Sequence, residues 1–309
     1  MAPSFDPAKD IPSLEGKVIL VTGGNTGLGK QAIQYLAAHS PTRIYLAART
    51  ESKATAAIRE IQTSFPNASI EYLPLDLSSF SSIATAASTF TQRESRLDIL
   101  LNNAGVMMTP YELTKDGYEI QIGTNHMGHA LLTKLLLPTL LATAKNPDSD
   151  VRVVNVSSFG HHGAMGTIEF NPSKWEKQWT SVRYGQSKLA NILYTRELAA
   201  RHPELMVVSI HPGVIFTDLF NAARSHWLMR LAFPLYSALF NWFPGHYKTT
   251  EEGTRNHMWA ATVDRKVLES GAYYMPVGKK SGGSWAAQNM GLAKKLWEWT
   301  ETEFQKHGY

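Results

Sequence analysis

The sequence predicts an α/β protein built as one doubly wound domain, a mainly parallel sheet of seven strands with helices on both faces. Three observations carry that expectation. Short apolar runs alternate with amphipathic ones almost from the start of the 309 residues. The apolar runs end in Gly, Asp, Asn, Ser or Arg, where a chain leaves a strand. No repeat, low-complexity tract or long linker divides the chain. Near-continuous apolar strands joined by helical crossovers belong in a parallel sheet covered on both sides.

Strands are expected at 17–23, 43–49, 69–77, 97–105, 151–158 and 206–213, with a seventh at 271–275. Helical patterns separate them at 27–39, 52–64, 79–91, 117–144 and 184–201; another begins near Thr250, and a closing helix falls around 292–304. The expected domain is 1–309, with its core over 14–280. Residues 216–248 break the rhythm, being rich in Phe, Trp, Leu, Met and Tyr. Insertions after the carboxyl ends of strands sit where such folds bind ligands. This one reads as a helical substrate lid, with a hairpin packed on its own domain as the alternative.

A hydrophobic content of 43% against 18% charged residues supplies a sizeable core. The net charge is +4 and the cations are scattered, so no nucleic-acid partner is expected. Zero cysteines exclude disulfides, thiolate catalysis and cysteine-ligated zinc, and fit a reducing compartment. Residues 1–10 lack the apolar core of a secretory signal, so Asn67-Ala-Ser69 and Asn155-Val-Ser157 read as chance matches to the glycosylation pattern. The expected location is cytoplasmic. No membrane span is expected; the nearest run, 227–243, is interrupted by Arg230, Pro234 and Asn241.

Thr22-Gly-Gly-Asn-Thr-Gly-Leu-Gly29 follows the first strand and runs into a helix, the context that turns a glycine pattern into a dinucleotide site. Gly23 permits the tight turn, while Gly27 and Gly29 let backbone approach a pyrophosphate and the helix approach the sheet. The helix-start N–H groups around Asn25, Thr26 and Leu28 meet negative charge. The P-loop pattern fails at Gln31, where its magnesium-binding hydroxyl would have to stand, which disfavours ATP. Twenty residues beyond Gly29 stands Arg49, where an acid would bind the ribose of NAD. Ala48-Arg49 offers instead space and a cation for a 2′-phosphate, and Lys53 adds a second cation one turn into the next helix. A solvated helix-end charge is the plain alternative, weightier for Lys53. NADP(H) is the expected cofactor. Asp76-Leu77 ends the third strand, where a carboxylate could accept from the adenine amino group or cap the following helix. Asn102-Asn103-Ala104-Gly105 ends the fourth with small residues and amides that let backbone lie against a cofactor.

Tyr184-Gly-Gln-Ser-Lys188 places a phenol and an ammonium four residues apart, on one helical face. A nearby cation favours the phenolate, and moving a phenol from near 10 towards 7 takes roughly 4 kcal/mol. Such a pair can pass a proton to or from an alcohol oxygen. Spacing alone is weak: with twelve tyrosines, about one such pair arises by chance. Tyr111-Glu-Leu-Thr-Lys115 is that pair, following Pro110 in a turn-like stretch, and it reads as a surface loop. Ser158 ends the fifth strand, with its hydroxyl on the opposite side from that of Ser157. His126, His129, His161, His162 and His211 invite a metal reading, yet no carboxylate joins them at ligand spacing, so no metal is expected.

Together, Thr22–Gly29, Asn102–Gly105, Ser158, Tyr184/Lys188 and His211-Pro-Gly213 resemble, in order and spacing, the short-chain dehydrogenase/reductase superfamily over roughly residues 15–280. The chain is most similar to the retinol dehydrogenase and WW-domain oxidoreductase subgroup. It shares the Gly-Asn-Thr-Gly form of the first motif, Asn125-His-Met-Gly-His129, the His161-His162 pair and Tyr-Gly-Gln-Ser-Lys-Leu-Ala-Asn. The resemblance implies a Rossmann domain in which Tyr184 donates or takes the proton. Lys188 lowers the pKa of that tyrosine and holds the nicotinamide ribose. Ser158 hydrogen-bonds the substrate oxygen, and Asn125 holds a water that links Lys188 to solvent. Pro212, Gly213, Val214 and Thr217 line the nicotinamide amide and phosphates. Relatives often dimerise through the helices carrying the residues matched by Asn125 and Tyr184, so a homodimer is an open expectation. Light-dependent protochlorophyllide reductases of the subgroup rely on a cysteine that this chain lacks. The membrane retinol dehydrogenases usually carry an apolar N-terminal anchor, and residues 1–10 do not read as one.

The resulting expectation is an NADPH-dependent oxidoreductase that interconverts a carbonyl and an alcohol on a lipophilic small molecule. Two other readings stand beside it: a non-catalytic NADP-binding scaffold or redox sensor, and a peripheral membrane protein using 227–243 as an interfacial helix.

Overall fold

The structure, a computed structural model, describes residues 5–213 and 249–309. The lid segment 216–248, together with Val214 and Thr217, lies outside the described residues. The strands are β1 (Val18–Thr22), β2 (Arg43–Ala48), β3 (Ile70–Pro74), β4 (Ile99–Asn102), β5 (Arg152–Val156), β6 (Met206–Ile210), β7 (Tyr273–Met275) and β8 (Lys279–Ser281). They form one sheet in the order β3-β2-β1-β4-β5-β6-β7-β8, parallel throughout except for the β7–β8 pair.

Eight strands stand where seven were expected. The extra one is Lys-Lys-Ser, polar and largely exposed, so it carries no apolar pattern to announce it. Gly278, at φ +67°, turns the chain back on β7 to make it.

Each strand splits its side chains between two cores, as alternation demands. Ile19, Val21, Ile44 and Leu46 face one layer, and Val18, Leu20, Tyr45 and Leu100 the other. On the first face pack α1 (Gly27–Ala37), α2 (Glu51–Ser64) and α6 (Thr250–Thr262) through residues such as Ile33, Ala57 and Trp259. On the second lie α3 (Phe80–Arg93), α4 (Ile120–Ala144) and α5 (Thr180–Arg201), through Phe90, Leu136 and Leu198. The closing helix α7 (Met290–Lys306) lies over α4 and α5. There Trp297 stacks on Tyr194 with centroids 5.2 Å apart, and Glu301 pairs with Lys134 at 2.5 Å.

Helix boundaries moved for identifiable reasons. α4 begins at Ile120 rather than 117, because Gly117 adopts φ +88° and the Glu119 carboxylate caps the N–H groups of Gln121 and Ile122. α5 begins at Thr180, so Tyr184 sits in its second turn rather than opening it. α4 is long and apolar enough to cross a bilayer by length and composition, contrary to the expectation that no run reaches that length. Its apolar residues are used by the sheet face, and more than half of its most apolar stretch is buried in the protein.

β1 and β4 are neighbours whose chains leave the sheet in opposite directions, to β2 and to β5. That is the switch point at which open α/β sheets bind ligands.

Candidate active site and cofactor cleft

A cavity of about 310 Å³ opens at this switch point. The glycine turn forms its floor: Gly23, Asn25, Thr26, Gly27, Leu28 and Gly29 all line it. Gly23 (φ +67°) and Gly27 (φ +53°) hold left-handed backbone that favours glycine. Gly29 serves packing: a Cβ there would lie 2.3 Å from the Gly23 carbonyl oxygen, so α1 approaches β1 only because the side chain is missing. The opposite wall is Asn103, Ala104 and Gly105 from the end of β4, held by Thr22, whose Oγ1 accepts from the N–H groups of Asn103 (2.9 Å) and Ala104 (3.0 Å).

The far end of the cleft carries the charge. Arg49 follows β2, Lys53 lies in the first turn of α2, and both are exposed and line the cavity. Neither forms an ion pair among the described residues. Ala47 and Ala48 leave no acid at the strand end. Asp76 and Leu77 also line the cavity, beyond the end of β3. Asp76 has a structural task as well: its carboxylate accepts from the Ser78 N–H (3.0 Å) and hydroxyl (2.6 Å). Although partial burial works against ionisation, the Ser78 bonds prevail and lower its pKa, with Arg49 and Lys115 acting in the same direction. The cap of α3 itself is Ser79, not Asp76. Ala47, Thr50, Leu75, Val106 and Thr124 complete the lining without having been singled out in the sequence. The donor set suits a dinucleotide phosphate: helix-start N–H groups at the floor, cations at one end and small residues on the wall.

The reactive groups gather beside the cleft. Ser158 follows β5, and its Oγ accepts from the Gly160 N–H at 3.0 Å. Gly160 has no side chain because a Cβ would meet the Tyr184 ring at 2.8 Å. Tyr184 and Lys188 share one face of α5, with the ammonium 5.9 Å from the ring centroid. Lys188 is 4% exposed, and its Nζ donates to the Val156 carbonyl at 3.0 Å. Asn125 sits in a π turn of α4 (Gly123–Met127). Its Nδ2 donates to Val106 O and to Ser187 Oγ, both at 2.9 Å, and its Oδ1 accepts from Val106 N–H at 2.8 Å. Gly105 lies between Asn125 and Lys188, joining the cofactor wall to the reactive groups.

The tyrosine titrates differently from the sequence expectation. Burial pushes the Tyr184 phenol up to about 12, and the Ser158 hydroxyl offsets this only in part. Burial likewise pulls Lys188 down to about 8. Desolvation of two adjacent groups outweighs their four-residue spacing in the protein by itself.

Of the remaining expected residues, Pro212 and Gly213 follow β6 and do not line the cavity; Gly213 adopts φ +97°. Tyr111 and Lys115 lie in a loop, where the Tyr111 ring carries the Arg183 guanidinium at 5.6 Å.

A family model described as "short chain dehydrogenase" matches residues 17–227. The chain belongs to the short-chain dehydrogenase/reductase family. A short-chain dehydrogenase/reductase of Aspergillus calidoustus, drtF, is 38% identical, covering 99% of this chain and 98% of the relative. Human retinol dehydrogenase 12 is 39% identical over 92% of this chain and 85% of its own, in keeping with a retinol dehydrogenase-like member of the family. Among solved structures, an uncharacterized protein from Mycobacterium Paratuberculosis superposes with a TM-score of 0.74 at 32% identity, covering 98% of both chains. The NADPH-bound carbonyl reductase from chicken fatty liver shares the fold, with a TM-score of 0.63 at 24% identity over 86% of this chain and 98% of that one.

Within this family frame, an oxidoreductase using a nicotinamide cofactor is the function class. The residues that sequence reasoning passed over were Thr22, which holds the β4 turn, and Gly160, which makes room for Tyr184. Thr22 opens the Thr22–Gly29 motif without a role of its own having been read there, and that adjacency was the available signal.

Proposed function

We propose that this chain is an NADPH-dependent oxidoreductase interconverting a carbonyl and an alcohol on a lipophilic small molecule. The observation that carries the reading is the convergence of Ser158, Tyr184 and Lys188 beside a cleft whose other end presents Arg49. Bound there, NADPH supplies the hydride. The chain's own residues do the rest. Ser158 hydrogen-bonds the substrate oxygen and Tyr184 gives it a proton. Lys188 holds the nicotinamide ribose, and Asn125 keeps Lys188 in touch with solvent. A phenol held near 12 is protonated at neutral pH, which suits donation and hence reduction. Arg49 and Lys53 answer the 2′-phosphate, with Pro212, Gly213, Val214 and Thr217 assigned to the nicotinamide end.

The substrate class rests on two supports. Phe159, 55% exposed, follows Ser158 directly, and Met165 and Trp285 are exposed nearby. The retinol dehydrogenase relatives are named for a lipophilic alcohol. A lid at 216–248 and cytoplasmic residence belong to the same proposal. We read any homodimer as using a surface other than the α4–α5 seam, since α7 lies over it.

The test is NADPH oxidation by the purified chain with a panel of aromatic and aliphatic aldehydes and ketones, retinal among them. Turnover of apolar members over hydrophilic ones is expected. NADPH binding with no turnover of any carbonyl would move the reading to a non-catalytic scaffold.

A further inference from the structure

Among the described residues, no three His, Asp or Glu side chains gather as a candidate cation site, and the histidines that stand out in the sequence make other contacts. Two of them share a single bonding pattern. His129 Nδ1 lies 3.0 Å from the main-chain oxygen of Asn125, and its Nε2 lies 2.8 Å from Thr22 Oγ1. His161 Nδ1 lies 2.7 Å from the main-chain oxygen of Ser158, and its Nε2 accepts the Ser284 N–H at 2.9 Å.

The partners decide where the protons are. A carbonyl oxygen only accepts, so Nδ1 carries the hydrogen in both rings. The Ser284 N–H only donates, so His161 Nε2 is bare. Thr22 Oγ1 already accepts from Asn103 and Ala104, and of the two acceptors in reach of its own hydrogen, His129 Nε2 at 2.8 Å is closer than the Leu101 carbonyl at 3.4 Å. Both imidazoles are therefore neutral Nδ1–H tautomers. They are 3% and 1% exposed. Burial pulls each to about 4, so this state persists at neutral pH.

We propose that His129 and His161 are a matched pair of positioning residues, which fix the main chain at Asn125 and Ser158 and tie each to a distant segment. Asn125 lies in a π turn, where the regular helical ladder is interrupted. There the imidazole adds a bond and runs it through Thr22 to the Asn103–Ala104 wall of the cofactor cleft. Ser158 has its hydroxyl engaged by the Gly160 N–H and its carbonyl by His161. The second nitrogen of His161 anchors that residue to the Gly283–Ser284 loop beside exposed Trp285. One histidine thus braces the cofactor side and the other the substrate side. A misplacement well below 1 Å at either residue matters to a reaction that depends on alignment.

The catalytic consequence rests on the oxidoreductase reading above; the tautomers do not. Two measurements separate them. The first is NMR of the protein labelled with isotopic nitrogen in histidine. Slowly exchanging Nδ1–H signals are expected for His129 and His161, each vanishing in its own variant; an Nε2–H tautomer at either overturns the proposal. The second is NADPH-dependent reduction of para-nitrobenzaldehyde by His129→Asn, His129→Gln, His161→Asn and His161→Gln. Asparagine keeps an N–H donor near the Nδ1 position, whereas glutamine places its amide near Nε2. The Asn variants, which lose only the distant tie, should fall between wild type and the Gln variants, while the Gln variants lose about tenfold or more in kcat with KM for NADPH changed by less than about twofold. Gln variants with wild-type kcat, or Asn variants that lose as much as Gln, overturn the positioning role. If wild type binds NADPH and reduces nothing, the oxidoreductase reading fails, and the NMR result alone decides the tautomers.

Discussion

Arg183 and Glu119 form an ion pair at 2.9 Å with almost no solvent access, at 6% and 1% exposure. Glu119 caps the start of α4 through the N–H groups of Gln121 and Ile122, both at 3.0 Å. Arg183 precedes Tyr184 on α5 and also donates to Thr109 O at 3.2 Å. The pair thus ties the Asn125 helix to the Tyr184 helix. Arg183→Met should cost about 3–5 kcal/mol, because it leaves a buried carboxylate unpaired. Adding Glu119→Gln should restore part of that in urea unfolding; a double variant no better than the single one would show that the pair is not coupled.

Tyr184→Phe should lower kcat by at least about 10²-fold, since the ring stays and only the transferable proton goes. NADPH affinity, followed by fluorescence titration, should stay near wild type. Tyr111→Phe is the matched control and should leave kcat unchanged. Wild-type turnover in Tyr184→Phe would remove the proton-transfer assignment.

Arg49→Glu should reverse or flatten a preference for NADPH over NADH. A charge-assisted contact to a phosphate is worth about 1.5–3 kcal/mol, so the affinity ratio should fall on the order of tenfold or more. Lys53→Ala should have the smaller effect. Equal affinities of the two cofactors for wild type would sink the specificity reading.

Two glycines should respond differently to alanine. At Gly105 a Cβ would lie 3.1 Å from Asn125 Oδ1 and 3.4 Å from Lys188 Nζ, so the neighbours must give slightly. Gly105→Ala should therefore keep its Tm near wild type but lose kcat. At Gly29 the clash, 2.3 Å from the Gly23 carbonyl, is with backbone that cannot yield. Gly29→Ala should lower both Tm and NADPH binding, and a neutral result there would contradict the packing described.

Acid should destabilise the fold early. Burial lowers His129, His161 and His257 to about 4, and His126 and His211 to about 3. The unfolded chain, with histidines near 6.5, binds protons first as pH falls, so protonation favours unfolding. Their stabilisation is present above pH 6.5 and is lost as pH falls towards 4. Each contributes a slope of up to about 1.4 kcal/mol per pH unit within that window. Tm measured from pH 7 to 4.5 should drop steeply below 6.5, and a flat profile would show that these imidazoles are solvated.

Much of the frame was legible in the residues. Seven strands were anticipated because apolar runs report burial directly, while β8 escaped because Lys279–Ser281 is solvent-facing and polar. Of the residues expected around the nucleotide, all from Gly23 to Gly105 line one cavity, since strand-end positions in a parallel sheet converge on one edge. The burial that pushes the Tyr184 phenol up was not legible, because spacing reports proximity and says nothing of desolvation.

The sequence by itself determined the fold class and the identities of the groups able to bind a dinucleotide and move a proton. Backbone periodicity, glycine conformational freedom and residue chemistry are local properties, written within a few positions of one another. Tertiary structure alone decided what surrounds the two Tyr-x-x-x-Lys pairs that the sequence had already told apart: Tyr111 lies in a loop under Arg183, whereas Tyr184 stands beside Ser158. It also decided that His129 and His161 face main-chain oxygens. Thr22 and Ser284, the partners of their second ring nitrogens, are more than a hundred positions away along the chain. Contacts of that range follow from strand order and layer packing, which no local spacing contains.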